Sequence, residues 1–137
     1  RWYGDGNWAR TLLLYALWKT QGTFVEGWRE GVAVGAVQDG GRLLVSVEGP
    51  KDFRGRLRFD YARHRRELNL PRNYVRLNEF PEWFVVEPNW LYRVTGQSGE
   101  PRLRLGSELM LGERLTTGEW TIAPVGPPPY GTRAIQP

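Results

Sequence analysis

The segment 69–90 holds the densest group of side chains that could bind a ligand. Aromatic rings stack on the apolar C–H faces of sugars, and planar polar groups hydrogen-bond the sugar hydroxyls. Side chains of both kinds lie close together in this segment, namely Tyr74, Arg76, Asn78, Glu79 and Trp83. The group predicts a carbohydrate-binding segment. The pattern slightly favours the alternative that Phe80, Trp83 and Phe84 are core aromatics, with the nearby polar groups satisfying buried backbone.

Paired carboxylates are the remaining option for acid–base chemistry. Glycoside hydrolysis needs two carboxyl groups roughly 5 to 9.5 Å apart. Asp5 near the N-terminus and the pair Glu79 and Glu82 are candidates. Because sequence spacing does not bring these groups together, no catalytic residue is assigned.

His64 is the single histidine, and the chain contains no cysteine. A histidine cage, a thiolate metal site and a disulfide are therefore excluded within this chain. The sequence also lacks the dinucleotide, phosphate-loop, nucleophile-elbow and zinc-protease motifs. We expect no metal and no cofactor. His64 lies among Arg63, Arg65 and Arg66, and we expect an exposed or hydrogen-bonded structural residue rather than a general base.

The basic residues are almost all arginine. Lys19 and Lys51 are the two lysines, and the other 17 of the 19 basic residues are arginines. The net charge is +4 and the pI about 9.8. Arginine grips carboxylates and phosphates bidentately, so this balance is compatible with nucleic acid or acidic glycans. Since 15 acids are interleaved with the arginines, a mixed-charge surface is favoured and nucleic acid is an unlikely partner.

Arg54, Arg56 and Arg58 alternate with Leu57 and Phe59, which places the three arginines on one face of a strand. Such a row could hold a polyanion together with Arg63, Arg65 and Arg66. The favoured interpretation is a solvated outer face of a sheet.

One stretch predicts a long helix. Residues 8–20 contain neither Gly nor Pro, and they follow the cap-forming run Gly4, Asp5, Gly6, Asn7. We predict a helix over 7–21 that Gly22 ends. Positions 12–18 are all apolar and would cover most of the circumference, so the helix needs partners on several sides. Either the sheet and another subunit share this burial, or an upstream domain supplies a helical partner surface for residues 8–21.

The remainder predicts short strands separated by turn residues. An Asp39-Gly40-Gly41 turn predicts a hairpin, and the alternating Leu43, Val45 and Val47 indicate one buried face. Residues 23–26 form a short apolar-polar piece, and further strands are expected near 54–61, 74–77, 83–87, 91–94, 103–106 and 120–125. Gly106 and Gly112 bracket the piece that follows the strand 103–106, which argues against a helix there.

The predicted fold class is mainly β, an antiparallel β-sandwich of about eight short strands preceded by one N-terminal α-helix. We divide the chain into a turn and helix (1–22), a β-sandwich domain (23–125) and a Pro-rich tail (126–137). No run approaches the ~20 apolar residues that a membrane span needs, and the opening residues do not form a signal-peptide pattern. The compartment is left open.

Three stretches of the chain follow one another in a recognisable layout. The turn GDGN leads into ARTLLLYALWKTQG, a β region closes near GSELMLGERL, and RHRRELNLPRNYVRLNEFPEWF lies between them. This layout resembles the C-terminal end of bacterial glycan-processing enzymes built on an (α/α)-toroid, in which a β-sandwich follows the last toroid helix. The resemblance implies that Asp5, Asn7 and Arg10 lie with Trp2 and Tyr3 at the mouth of a toroid, where they would contact sugar. The other toroid helices are not in this chain.

Three functions follow in order of preference. The first is a non-catalytic C-terminal β-sandwich region of a carbohydrate-active enzyme, a glycoside hydrolase or polysaccharide lyase. The second is a free-standing carbohydrate-binding module that uses Tyr74, Trp83 or Trp90. The third is an Arg-rich protein that binds polyanions or nucleic acid.

Overall fold

The computed structural model of the chain describes residues 6–74, 80–97 and 99–128. Its helical elements are α1 (Gly6–Lys19), a π-helical turn (His64–Leu68) and α2 (Gly106–Leu111). The strands are β1 (Phe24–Glu26), β2 (Ala33–Asp39), β3 (Arg42–Glu48), β4 (Gly55–Arg58), β5 (Asp60–Tyr61), β6 (Val85–Val86), β7 (Leu91–Gly96), β8 (Arg102–Leu105), β9 (Glu113–Leu115) and β10 (Gly118–Gly126).

Two antiparallel sheets form a sandwich-like arrangement. The larger sheet has the strand order β2-β3-β10-β7-β8, and the smaller sheet has the order β1-β4-β9. A short parallel pair, β5-β6, lies outside both sheets. The prediction of a mainly β, antiparallel sandwich preceded by an N-terminal helix is confirmed.

The β2–β3 hairpin forms where the sequence predicted it. Gly40 and Gly41 have φ values of +54° and +83°, the left-handed values that a two-residue hairpin turn requires. Arg42 and Asp39 face each other across the turn and form an ion pair of 2.5 Å. This local chemistry sets the register that buries one side of β3.

The core contains side chains from the five-stranded sheet, the three-stranded sheet and α2, and it contains no residue of α1. Its buried members are Val32, Leu43, Val45, Val47, Phe53, Leu57, Phe59, Phe84, Val86, Tyr92, Val94, Leu109, Leu115 and Ile122. The alternating Leu43, Val45 and Val47 of β3 are all buried, as predicted. The sandwich therefore has a hydrophobic core of its own, independent of the N-terminal helix.

Helix α1 ends two residues earlier than predicted, at Lys19. Gln21 and Gly22 adopt positive φ values of +51° and +78°, and the Gly22 N–H donates to the Leu17 carbonyl over 2.8 Å. This left-handed exit satisfies a terminal carbonyl and turns the chain toward β1. Gly22 thus ends the helical segment as the sequence indicated.

One sequence prediction was wrong. Residues 106–111 form α2, although the bracketing glycines argued against a helix there. The Glu108 carboxylate accepts the Leu105 N–H over 2.7 Å at the helix start, and Leu109 is fully buried. Tertiary burial and this local cap outweigh the glycines, which lie at the ends of the helix and not inside it.

Other boundaries shift. The strand expected over 83–87 is confined to Val85–Val86, and the segment 64–68 forms the π-helical turn. Positions 75–77 of the strand expected over 74–77 lie outside the described residues. Strand β10 continues to Gly126, and the Pro-rich tail from position 129 onward also lies outside them.

Candidate functional site

The start of α1 lies against the aromatic segment. Asn7 is exposed, and its carbonyl accepts the Thr11 hydroxyl over 2.8 Å. The Arg10 guanidinium lies over the Phe80 ring at 5.1 Å, a cation–π arrangement. Asp5, the third sequence candidate from this region, lies outside the described residues. The fold therefore brings Arg10, but not demonstrably the other two, to the segment 69–90.

The aromatic residues of that segment have different roles. Phe84 is a core residue, packed edge-to-face on Phe59 with ring centroids 6.2 Å apart. Trp83 is half-buried beside the end of α1, since a Cβ at Gly22 would lie 3.7 Å from the Trp83 Cβ. Tyr74 is 42% exposed. Phe84 thus follows the core-aromatic alternative, whereas Tyr74 keeps a face that could contact a ligand.

The three polar candidates of the segment, Arg76, Asn78 and Glu79, lie outside the described residues. Described residues on either side of them are joined by a hydrogen bond from the Glu82 N–H to the Arg72 carbonyl over 3.1 Å. Tyr74 precedes and Trp83 follows these candidates in the sequence. The prediction of a sugar-binding segment thus stays a prediction.

A buried charged cluster joins residues 63–64 to residues 80–82. Glu82 is 7% exposed and accepts the backbone N–H of His64 over 2.7 Å. The Arg63 guanidinium lies 3.7 Å from the Glu82 carboxylate, donates to the Phe80 carbonyl over 2.9 Å, and also pairs with Asp60. Burial raises the pKa of Asp60 above its usual value, and the charge of Arg63 opposes that rise.

His64 is fully buried, and its Nδ1 donates to the Pro71 carbonyl over 3.0 Å. Together with its N–H bond to Glu82, this contact ties the π-helical turn to residues 71 and 82. His64 is therefore the hydrogen-bonded structural residue that the sequence predicted.

A cleft of about 440 Å³ opens beside this cluster, lined by Ala62, Arg65, Leu70, Pro71, Arg72, Glu82, Val85 and Glu87. Its charges are largely neutralised internally. Arg65 and Arg66 reach the Glu87 carboxylate at 2.5 and 3.5 Å. Guanidinium groups thus lie within ion-pair distance of both carboxylates that line this cleft, Glu82 and Glu87.

Two further clefts were not apparent from the sequence. An apolar groove of about 280 Å³ lies between α1 and the sheets, lined by Leu13, Ala16, Leu17, Thr20, Thr23, Phe24, Val25, Trp28 and Val34. An arginine-lined cleft of about 750 Å³ lies where the two sheets meet, lined by Glu26, Gly27, Arg54, Gly55, Arg56, Arg102, Arg114, Leu115, Thr116 and Trp120. Of this second set, the sequence pattern indicates only Arg54 and Arg56 as candidates for polyanion binding.

Within residues 6–74, 80–97 and 99–128, no group of three or more His, Asp or Glu side chains could hold a metal ion. Among the same residues no helix is both long and apolar enough to cross a bilayer. No protein-family model, curated protein or solved structure matches the chain.

Proposed function

We propose that this chain is a non-catalytic accessory β-sandwich region of a carbohydrate-active enzyme, docked through α1 onto an apolar helical surface of that enzyme. The observation that carries the proposal is the outward side of α1. Trp8, Leu12 and Tyr15 are 56%, 60% and 56% exposed there, and the helix has no buried residue.

The spacing of these side chains favours a helix as the partner. Trp8, Leu12 and Tyr15 stand at i, i+4 and i+7, the stripe by which one helix packs on another. The opposite side of α1, with the half-buried Leu14 and Leu17, already faces the sheet. A partner on the outer stripe would complete the burial, at about 1.5–3 kcal/mol for each large apolar side chain removed from water.

The apolar groove is a second exposed apolar surface, on the side of α1 that faces the sheets. Phe24 and Trp28, on its far wall, are 54% and 62% exposed. Leu13 of α1 belongs to the groove and is 54% exposed. A partner helix lying along the groove would contact α1 and the β1 region together, as the next helix of a bundle would.

The link to glycan chemistry is supported by the sequence resemblance to toroid enzymes, which place their sandwich after the last toroid helix. The accessory role is supported by the engaged state of Glu82 and Glu87. Arg10, held over Phe80, would lie near the junction of sandwich and toroid and contribute to glycan contacts from there.

The test compares the natural protein, purified from its source cells, with the isolated 15.8 kDa chain. We expect a larger intact mass, and hydroxyl-radical footprinting should show severalfold less oxidation of Trp8 and Tyr15 in the natural protein. Trp90, which is 41% exposed and lies outside the docking surface, serves as the internal reference. A natural mass of 15.8 kDa, or equal oxidation of Trp8 and Tyr15 in both samples, would refute the proposal.

A matched pair of variants sharpens this test. Leu12 and Leu111 are both exposed helical leucines, at 60% and 66%. In the natural protein, Leu12→Glu should expose the sandwich to limited proteolysis, whereas Leu111→Glu should not. Equal sensitivity of the two variants would speak against docking through α1.

A further inference from the structure

We propose that the arginine-lined cleft is a binding site for an acidic oligosaccharide, one that carries carboxylate or sulfate groups. The anion-binding part of this proposal stands on geometry alone. The choice of a saccharide as the carrier of the anion rests on the proposed function.

Two arginines of the cleft face each other. Arg56 on β4 and Arg114 on β9 are direct cross-strand partners, so their side chains share one face of the smaller sheet. Both residues are exposed. Like charges in this position destabilise a sheet unless a counter-charge lies between them. In the part of the chain that the structure describes, neither arginine forms an ion pair.

Among the described residues, two neighbouring arginines form ion pairs, unlike Arg56 and Arg114. Arg58 pairs with Glu26 over 2.8 Å, and Arg102 pairs with Glu113 over 2.9 Å. Glu26, the one acid among the described residues that line the cleft, lies opposite Arg56 in the register of β1 and β4, but its carboxylate forms its ion pair with Arg58. The cleft keeps an excess of positive charge that these acids do not neutralise.

The Arg54 guanidinium is held in place within the cleft. It donates to the carbonyls of Lys51 and Phe53 over 3.1 and 2.7 Å. The aliphatic stem of Arg56 packs on Gly112, since a Cβ at Gly112 would lie 2.3 Å from the Arg56 Cγ. A guanidinium that is already fixed, as in Arg54, loses little conformational entropy on binding an anion.

Trp120 supplies an aromatic wall. Its Nε1 donates to the Thr116 carbonyl over 3.0 Å, and its ring packs on Gly96, where a Cβ would lie 2.9 Å from the ring. The ring is half-buried and fixed in orientation. A sugar ring could stack on its free part while neighbouring guanidiniums hold the acidic substituents bidentately.

The size of the cleft favours a short oligosaccharide over a nucleic acid. A volume of about 750 Å³ lies within the usual range of small-ligand sites. Single-stranded nucleic acids are bound along extended grooves with successive stacking platforms. Among the described residues, this cleft offers one aromatic side chain, so it matches a few sugar units better than a nucleotide chain.

The test titrates the full chain with oligogalacturonate and with a sulfated heparin oligosaccharide. A neutral malto-oligosaccharide, an oligothymidylate and inorganic sulfate are the comparison ligands. We expect the two acidic oligosaccharides to bind, with an affinity that falls about tenfold or more between about 50 and about 500 mM salt. The double variant Arg56→Gln, Arg114→Gln should weaken that binding by about tenfold or more, since two charge-assisted contacts are lost.

The matched control is the double variant Arg42→Gln, Arg66→Gln, which removes the same charge from exposed ion pairs of residues that do not line the cleft. It should bind as the wild type does. The cleft variant should also keep or raise its thermal stability at low salt, because like-charge repulsion is removed. A folded cleft variant that binds like the wild type would overturn the proposal.

The comparison ligands supply the other contradicting outcomes. Binding of oligothymidylate but not of acidic sugars would make the cleft a nucleic-acid site, and binding of inorganic sulfate alone would make it an anion site without a saccharide. Leu12→Glu should leave oligosaccharide binding intact. A failure of α1 docking is therefore distinguishable from a failure of the anion site.

Discussion

At the scale of single residues, a buried hydroxyl illustrates how the loop near the first cleft is held. Tyr92 is 3% exposed, and its hydroxyl accepts the backbone N–H of Glu87 over 2.7 Å. Burial raises the pKa of the Tyr92 phenol, since a low dielectric disfavours the phenolate. The bond places Glu87 where its carboxylate meets Arg65 and Arg66.

Replacing Tyr92 by Phe should lower the free energy of unfolding by about 1–3 kcal/mol, because the Glu87 N–H loses its acceptor in a partly buried site. Since the folded pKa of Tyr92 lies above the unfolded value of about 10, the wild type should lose part of this advantage as pH rises beyond that value. Urea denaturation at neutral and alkaline pH measures both effects. The control, Tyr15→Phe at a 56% exposed position, should change stability by less than about 0.5 kcal/mol. A comparably small effect at Tyr92 would contradict the assigned bond.

At the scale of elements, the start of α2 is hydrogen-bonded to the turn that precedes β7. The Gly106 N–H donates to the Trp90 carbonyl over 2.8 Å, and the Ser107 N–H donates to the Pro88 carbonyl over 3.0 Å. A Cβ at Gly106 would lie 2.0 Å from the Glu87 carbonyl oxygen. Glycine at this position permits a close backbone approach, and in the sequence it resembled a helix breaker.

Gly106→Ala should therefore destabilise the protein by about 1–3 kcal/mol or more, since backbone must move to admit the methyl group. Gly35→Ala on β2 is the matched control, because nothing lies within 4 Å of a Cβ there. That control should leave stability unchanged or raise it by about 0.4–1 kcal/mol. Thermal denaturation of the two variants measures the difference. Equal changes in melting temperature would contradict the close backbone contact at Gly106.

At the scale of the whole molecule, the sandwich and α1 contribute unequally to stability. The central strands β3, β7 and β10 contribute buried side chains to one core, whereas α1 contributes none. A helix of 14 residues with no fully buried side chain is marginal in water. We thus expect the sandwich to unfold as one unit and α1 to open independently of it.

Native-state hydrogen exchange of the isolated chain tests this expectation. Amides of α1 should exchange through local opening, with protection factors about a hundredfold or more below those of β10. If α1 docks onto a helical surface as proposed, its protection in the natural protein should rise toward that of the strands. Equal protection of α1 and β10 in the isolated chain would show that α1 belongs to the cooperative core.

The sequence by itself determined the features that depend on local pattern. The glycine-containing turn and the alternation of Leu43, Val45 and Val47 define the first hairpin, and an uninterrupted run between capping residues and Gly22 defines α1. The mainly β fold class follows from these short-range rules. A hydrogen-bonded structural role of His64 was also predicted, because a lone histidine cannot build a histidine metal cage or a two-histidine catalytic arrangement and three arginines lie beside it in the sequence.

Only the tertiary structure decided which distant residues meet. Arg56 and Arg114 are opposite each other because β4 pairs with β9, and Trp120 joins their cleft because β10 belongs to the other sheet. Arg10 lies over the Phe80 ring because the tertiary fold brings the start of α1 against the segment 69–90. Strand register between remote segments is set by burial of the whole core, and no local periodicity encodes it. The arginine-lined cleft is a product of that register.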